Sequence, residues 1–496
     1  MHEKIKNIGQ LKESGWISKT IKEELRSNLI EKIQAGETLF PGILGYDKSV
    51  IPQIEHAILA RHDIILLGLR GQAKTRILRM LVTLLDEYIP VVKGSEINDD
   101  PLRPISGFAR ELIEKKGDET PITWLHRDYR YGEKLATPDT TVSDLIGDID
   151  PIKAASLKLS LASEEVINYG LIPRTNRGIF VINELPDLQP RIQVALLNIM
   201  QERDIQIRGF NIRIPVDLFM AFSANPEDYT NRGNIITPLK DRIDAQIITH
   251  YPKEMEIALQ ITEQEAWVSR DKNRVVHIPK IYREILENVA FEARNSEYID
   301  QKSGVSTRMT ITAMEQVLSS AERRSILNED SKTTLRITDL YAMIPALTGK
   351  LELVYEGEQE GAVNVAKHVI GKAIKKTFRS YFSDPQKRKN DDEGNPYQKI
   401  IDWFAAGNRL EVHEMQNDKD YQRNLDGVEG LAETVKMQSS DNLDKKELYP
   451  LMDLMIEALH QNSKIGKDDL DDTTSYTDML GSMLGGMSDF DDEEYS

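Results

Sequence analysis

Three short apolar runs punctuate the first half of the chain, each stopping at a small or polar residue. Ile64-Ile65-Leu66-Leu67 stops at Gly68, Gly178-Ile179-Phe180-Val181-Ile182 at Asn183, and Leu218 to Ser223 at Ala224-Asn225. Runs of this length without polar alternation predict strands buried on both faces, as in a parallel sheet. A further strand is expected near Tyr131 to Leu135, and Ile205 to Ile214 alternates around Gly209-Phe210 as a hairpin does. Apolar residues four apart predict helices between these strands. They are Ile17, Ile21, Leu25 and Leu29 in a segment reaching Ala35, then Val50, Ile54, Ile58 and Leu59 between Asp47 and Arg61. Helix is also expected from Thr75 to about Leu85 and on the approach to Met200. Alternating strands and helices indicate an α/β fold.

After Pro252 the pattern is helical through about Val354, and another helix is expected from Val363 to Phe382. Its stripe is Val363, Ala366, Ile370, Ile374, Phe378 and Tyr381, with Lys367, Lys372, Lys375, Lys376 and Arg379 interspersed. This reads as a helix docked on its neighbours with solvated cations, in preference to a nucleic-acid or membrane surface. The resulting division is an N-terminal helical segment (1–39), an α/β domain (40–251), a helical lid (252–356), a helical extension (357–466) and an acidic tail (467–496) expected to be disordered.

Charge and composition narrow the classes. The formal net charge is -18, but ten acids and no Lys or Arg lie from Asp468 to the end, leaving about -8 on the rest. Neutralising nucleic-acid phosphates needs an excess of cations, so general nucleic-acid binding is not expected. There is no Cys, which excludes disulfides and thiolate chemistry. No apolar run reaches about 20 residues, and Met1 to Gly9 is polar, so a cytoplasmic protein without a membrane span is expected. In the tail, Met479, Leu480, Met483, Leu484 and Met487 recur at three- and four-residue spacings, and Tyr476 to Met487 reads as a docking segment for a partner.

The candidate chemistry sits where the buried runs end. Gly68-Leu69-Arg70-Gly71-Gln72-Ala73-Lys74-Thr75 follows G-x-x-x-x-G-K-[ST] with Ala73 in the second glycine's place. Between a strand and a helix, such a loop surrounds phosphate oxygens with backbone N–H groups. Lys74 would reach the terminal phosphates, and Thr75 would offer its hydroxyl to Mg²⁺. The second run ends in Asn183-Glu184, where nucleotide hydrolases place Asp-Glu to hold the Mg²⁺ shell and polarise water. Asn183 can orient a Mg²⁺-bound water but carries no charge. Asn225, ending the third run, suits a γ-phosphate sensor, and Arg242 an arginine supplied to a neighbouring molecule's γ-phosphate.

With these residues in view, the sequence resembles the AAA+ ATPases, in the group of magnesium-chelatase ATPase subunits and MoxR-like proteins. Phe40-Pro41-Gly42-Ile43-Leu44-Gly45-Tyr46-Asp47 is similar to the adenine-contacting segment, which assigns Ile43, Leu44 and Gly45 to the nucleotide. Thr137 to Val142, Gly147 to Asp150, Gly170 to Gly178 and Leu196 to Gly209 carry the rest of the likeness, which is good from Phe40 to His250 and looser to about residue 350. The resemblance implies an AAA+ P-loop core, an αβα sandwich around a parallel sheet, with a helical lid and a helical C-terminal extension. It also implies two insertions (Val142 to Pro173 and the hairpin Ile205 to Ile214), ATP and Mg²⁺ as cofactors, and a hexameric ring. Arg242 matches the family's arginine finger, Arg174 and Arg177 match arginines near the subunit interface, and Arg308 in Thr307-Arg308-Met309-Thr310 matches sensor 2. Relatives act with a partner carrying a von Willebrand A domain. Asn183 leaves open a catalytically weak, nucleotide-dependent scaffold or switch. Without a G-A-F-T-G-A loop, a transcription activator is a remote alternative.

Overall fold

The computed structural model describes residues 4–161, 163–207, 212–225, 233–270, 274–386, 395–439, 443–470 and 473–479. The chain divides into two compact units, Met1–Tyr251 and Pro252–Ser496.

Five parallel strands organise the first unit: β1 (Ile64–Leu67), β2 (Tyr131–Leu135), β3 (Gly178–Asn183), β4 (Leu218–Ala224) and β5 (Ala245–Ile248). Their order is β5-β1-β4-β3-β2. The period-two pleat sends alternate residues to opposite faces. Ile64, Leu66, Ile179, Val181, Phe219 and Ala221 join one core, and Ile65, Phe180, Ile182, Met220 and Phe222 join the other. Both faces are therefore dry, which explains strands apolar at every position. Helices α1 (Ile21–Ala35), α2 (Val50–Leu59) and α3 (Lys74–Met80) cover the first face, and α4 (Pro190–Glu202) covers the second. This is the αβα sandwich.

Three sequence expectations shift here. The first helix does not include Ile17, which is exposed. α1 starts at Ile21 because Thr20 accepts from the Glu23 backbone N–H while Glu23 bonds back to the Thr20 N–H. Segment 1–39 is also integral to this unit: Leu25 and Leu29 are buried against the sheet, and Glu24 is paired with the buried Arg130 at 2.6 Å. Finally, the helix expected to reach Leu85 is α3 followed by a separate tight 3-10 turn, Leu81–Leu84. The insertion 142–173 consists of short helices around a two-stranded ribbon, Gly147–Ile149 with Ile167–Tyr169. Asp204–Gln206 pairs antiparallel with Arg213–Pro215, and the tip residues Gly209 and Phe210 lie outside the described residues.

In the second unit, residues read as separate lid and extension share one core. α5 (Lys280–Ala293), α6 (Arg308–Leu327), α7 (Ala362–Tyr381) and α8 (Lys445–Gln461) all contribute to it. Ala366, Ile370, Ile374 and Phe378 of the expected stripe on α7 are buried, and the buried face is wider than expected, taking in Val365, Val369 and Ala373, while Val363 is 49% exposed. Its cations include Lys376, paired with Glu292 at 2.8 Å, and Arg379, paired with Asp384 at 3.1 Å. The start of the acidic tail is not disordered. β7 (Gly466–Leu470) and β8 (Thr473–Thr477) form a hairpin whose second strand also pairs with β6 (Leu410–His413). Tyr476, expected to begin a docking segment, is buried in this unit's core. Leu480, Met483, Leu484 and Met487 lie outside the described residues.

Glu287, on α5, is buried and accepts a hydrogen bond from Thr262; burial pushes its carboxyl up to about 7. A raised carboxyl favours the folded state while protonated, so its stabilising effect is full below the unfolded value and is lost as pH rises toward 7. Glu287→Gln should therefore remove this loss and add about 3 kcal/mol at pH 8. Urea midpoints at pH 5 and pH 8 check this; parallel shifts at both would contradict it.

Candidate nucleotide site

Parallel pairing brings the C-terminal ends of three strands to one edge of the sheet. Leu67 of β1 lies opposite Ala224 of β4, and the Gly68 N–H donates to the Ala224 carbonyl at 3.1 Å. Phe222 of β4 lies opposite Ile182 of β3, and the Ser223 hydroxyl donates to Asn183 Oδ1 at 2.9 Å. Gly68, Asn183-Glu184 and Asn225 thus emerge side by side, with Asn225 buried.

The loop after β1 has the backbone that a phosphate cradle needs. Gly71 has φ 75° and Ala73 φ 57°, so two residues near the start of α3 are left-handed. Ala73 pays about 1–2 kcal/mol for a conformation glycine adopts without strain. Its methyl group is exposed, so no clash is added. At Gly68 a Cβ would lie 1.9 Å from Thr249 Oγ1 and 2.2 Å from Gln72 Oε1, so only glycine fits. Lys74 opens α3; its ammonium donates to the carbonyls of Gly68 and, at 2.9 Å, Leu69. Thr75 follows it, half-buried.

Three hydroxyl residues that sequence reasoning missed hold this loop. The Tyr46 hydroxyl shares its one proton between the Gln72 carbonyl at 3.0 Å and the His250 carbonyl at 2.8 Å, and burial pushes its phenol up to about 12. Thr249 donates to Gln72 Oε1 at 2.6 Å, and Tyr251 to the Arg70 carbonyl at 2.9 Å. Tyr46 ends the segment carrying Ile43, Leu44 and Gly45. Ile43 is buried, Leu44 half-buried, and Gly45 turns the chain at φ 79°. That segment is therefore tied to the loop and to the end of β5. The usable signal was a Gly-Tyr pair and Thr-His-Tyr directly after a strand.

At the next strand end, Glu184 sits at φ 53°, a strained conformation for a non-glycine residue. Its N–H donates to Ser223 Oγ at 3.4 Å. Asn183 is buried and engaged at both ends of its amide: Oδ1 accepts from Ser223, and Nδ2 donates to Glu133 Oε1 at 2.7 Å. Glu133, on β2, had no role in the sequence reading. Among the described residues no cluster of three or more His, Cys, Asp or Glu could hold a metal ion. A hydroxyl, an amide and a carboxylate beside a phosphate cradle fit a divalent ion that takes its remaining oxygen ligands from phosphate and water.

The predicted arginines have different surroundings. Arg242 ends the helix Thr237–Arg242, bonded to Gln201 Oε1 at 3.0 Å and the Pro238 carbonyl at 2.9 Å. Arg174 is exposed. Arg177, expected near a subunit interface, is buried instead: it donates to the Pro90 carbonyl at 2.7 Å and faces Asp100 at 3.7 Å. Arg308 opens α6 of the second unit and is exposed.

No protein-family model matches the chain. The magnesium-chelatase 38 kDa subunit of Cereibacter sphaeroides is 26% identical over 211 residues, 41% of this chain and 56% of that protein. The magnesium-chelatase subunit ChlI of Cyanidium caldarium is 25% identical over 248 residues, 49% of this chain and 65% of that protein. The chain thus spans between half and two thirds of the curated relatives it matches. A structure of the complex between subunits BchI and BchD of magnesium chelatase is similar at 19% identity and TM-score 0.32, covering 65% of this chain and 98% of that chain. Among the described residues no helix is long and apolar enough to cross a membrane. The likeness to chelatase subunits over about half of the chain agrees with a P-loop mounted on a five-stranded parallel sheet, and the chain is similar to the AAA+ ATPases of the magnesium-chelatase group.

Proposed function

We propose that this chain binds and hydrolyses ATP with Mg²⁺ as a ring, a hexamer, and uses the cycle to remodel or activate a protein carrying a von Willebrand A domain. The observation that carries the reading is the shared edge of β1, β3 and β4, which sets a left-handed glycine-rich loop beside a carboxylate and an amide. In this reading Ile43, Leu44 and Gly45 meet the adenine, and the loop that Gly68 opens surrounds the phosphates with the N–H groups of Gly71, Gln72 and Ala73. Lys74 leaves its own loop's carbonyls for the terminal phosphates, and Thr75 and Asn183 stand toward the metal. Bound Mg²⁺ would neutralise phosphate charge during transfer. Glu184 polarises the attacking water and Asn225 orients it; Arg242 acts on the neighbouring subunit's ATP, and Arg308 contacts nucleotide within its own subunit. A second reading, a nucleotide-dependent switch with little turnover, is favoured by one observation: both ends of the Asn183 amide are already occupied.

Light scattering with and without ATP tests assembly, paired with a phosphate-release assay. The parent should gain mass on adding ATP. Arg242→Ala should still assemble while turnover falls by roughly 10³-fold or more. An unchanged mass would remove the ring, and full turnover in Arg242→Ala would remove the shared site.

A further inference from the structure

The anionic charge missing from position 183 lies on the neighbouring strand. β2 pairs with β3 so that Glu133 is opposite Val181 and Leu135 opposite Asn183. From there the Glu133 carboxylate accepts from Asn183 Nδ2 at 2.7 Å. Arg79 grips the same carboxylate with two bonds, Nε to Oε2 at 2.8 Å and Nη2 to Oε1 at 3.0 Å. Tyr131 adds a donor to Oε2 at 3.3 Å. Arg79 lies one turn beyond Thr75 on α3, so the carboxylate is bracketed by the P-loop helix and the end of β3. An aspartate at 183 would put two carboxylates in contact, whereas an amide gives the second one a donor. The identity of residue 183 thus follows from that of residue 133.

We infer that Glu133 is the positioning carboxylate of the metal side of this site, supplying through Asn183 the negative charge that an aspartate would carry at 183. The inference rests on the nucleotide reading above. Asn183, polarised by Glu133 at one end and fixed by Ser223 at the other, is a stronger and better-oriented partner for metal-bound water than an isolated amide. Arg79 holds Glu133 in place, and its charge is only partly offsetting because its side chain is 64% exposed.

The test is the Mg²⁺ dependence of nucleotide affinity, measured by titrating a fluorescent ATP analogue at graded Mg²⁺ and in EDTA. Glu133→Gln, which keeps the shape, should raise the Mg²⁺ concentration for half-maximal binding by roughly 10- to 100-fold. Affinity in EDTA should stay at the parent's value, since a purely structural role would move both. Glu133→Gln with Asn183→Asp exchanges carboxylate and amide and should return the Mg²⁺ dependence to within about 3-fold of the parent. Parent-like Mg²⁺ dependence in Glu133→Gln, or no recovery in the exchanged pair, would overturn the inference and leave nucleotide binding standing. A parent that binds no nucleotide in either condition would overturn the nucleotide reading as well.

Discussion

Glu184→Gln should keep ATP bound and lose about 10²- to 10⁴-fold in turnover, the range a positioned general base contributes. The side chains are nearly isosteric, so the strand β3 and the left-handed backbone at φ 53° are unchanged and the fold should not suffer. What disappears is the proton acceptor at the strand end next to the P-loop strand's partner. Equilibrium binding of labelled ATP and steady-state phosphate release measure the two halves separately. A variant that hydrolyses like the parent would remove Glu184 from the chemistry. A parent that binds but does not hydrolyse would favour the switch reading, in which this substitution changes nothing.

Lys467→Met should cost about 3–5 kcal/mol of stability in the second unit, the range for removing one partner of a buried ion pair. Glu457 is fully buried on α8, and Lys467 on β7 meets it at 3.3 Å. Tyr476 donates to Glu457 Oε2 at 2.6 Å, and Tyr341 and Gln461 donate to Oε1 at 2.8 and 2.9 Å. Burial alone would raise this carboxyl, yet Lys467, the Tyr476 and Gln461 donors and nearby His460 hold it down at about 2. A depressed carboxyl stabilises above its unfolded value and loses that effect as pH falls toward 2. Methionine fills the lysine's volume over the Tyr341 ring, 4.4 Å from the ammonium, but leaves Glu457 without its cation. The urea midpoint should fall at pH 7 and much less at pH 3; an unchanged midpoint at pH 7 would contradict the assignment.

The buried strands were legible because their apolar runs need cover on both faces, and the sheet supplies it. Lys74, Glu184 and Asn225 could be placed at strand ends from the same pattern. Ala73 was legible as a departure, and its φ of 57° shows the loop keeping a glycine's conformation at a cost. Contacts that depend on register were not legible. Glu133 reaches Asn183 only because β2 and β3 pair where they do, and Tyr46, Thr249 and Tyr251 act through single hydroxyls from distant segments. Arg177 was misplaced because a guanidinium in sequence looks alike whether it faces a neighbour or a buried Asp100. The paired strands Gly466–Leu470 and Thr473–Thr477 were hidden by their acidic surroundings, since the buried contacts of Lys467 and Tyr476 with Glu457 outweigh that bias.

The central claim is that the P-loop of β1 and α3 holds ATP, and calorimetric titration of ATP with Mg²⁺ into the parent and Lys74→Ala addresses it most directly. Losing an ammonium's bonds to phosphate should weaken binding roughly 10- to 100-fold, as expected for hydrogen bonds between charged groups. Saturable binding by the parent with that loss in Lys74→Ala is the predicted result. A parent that takes up no ATP, or equal affinities for the two proteins, would contradict the account.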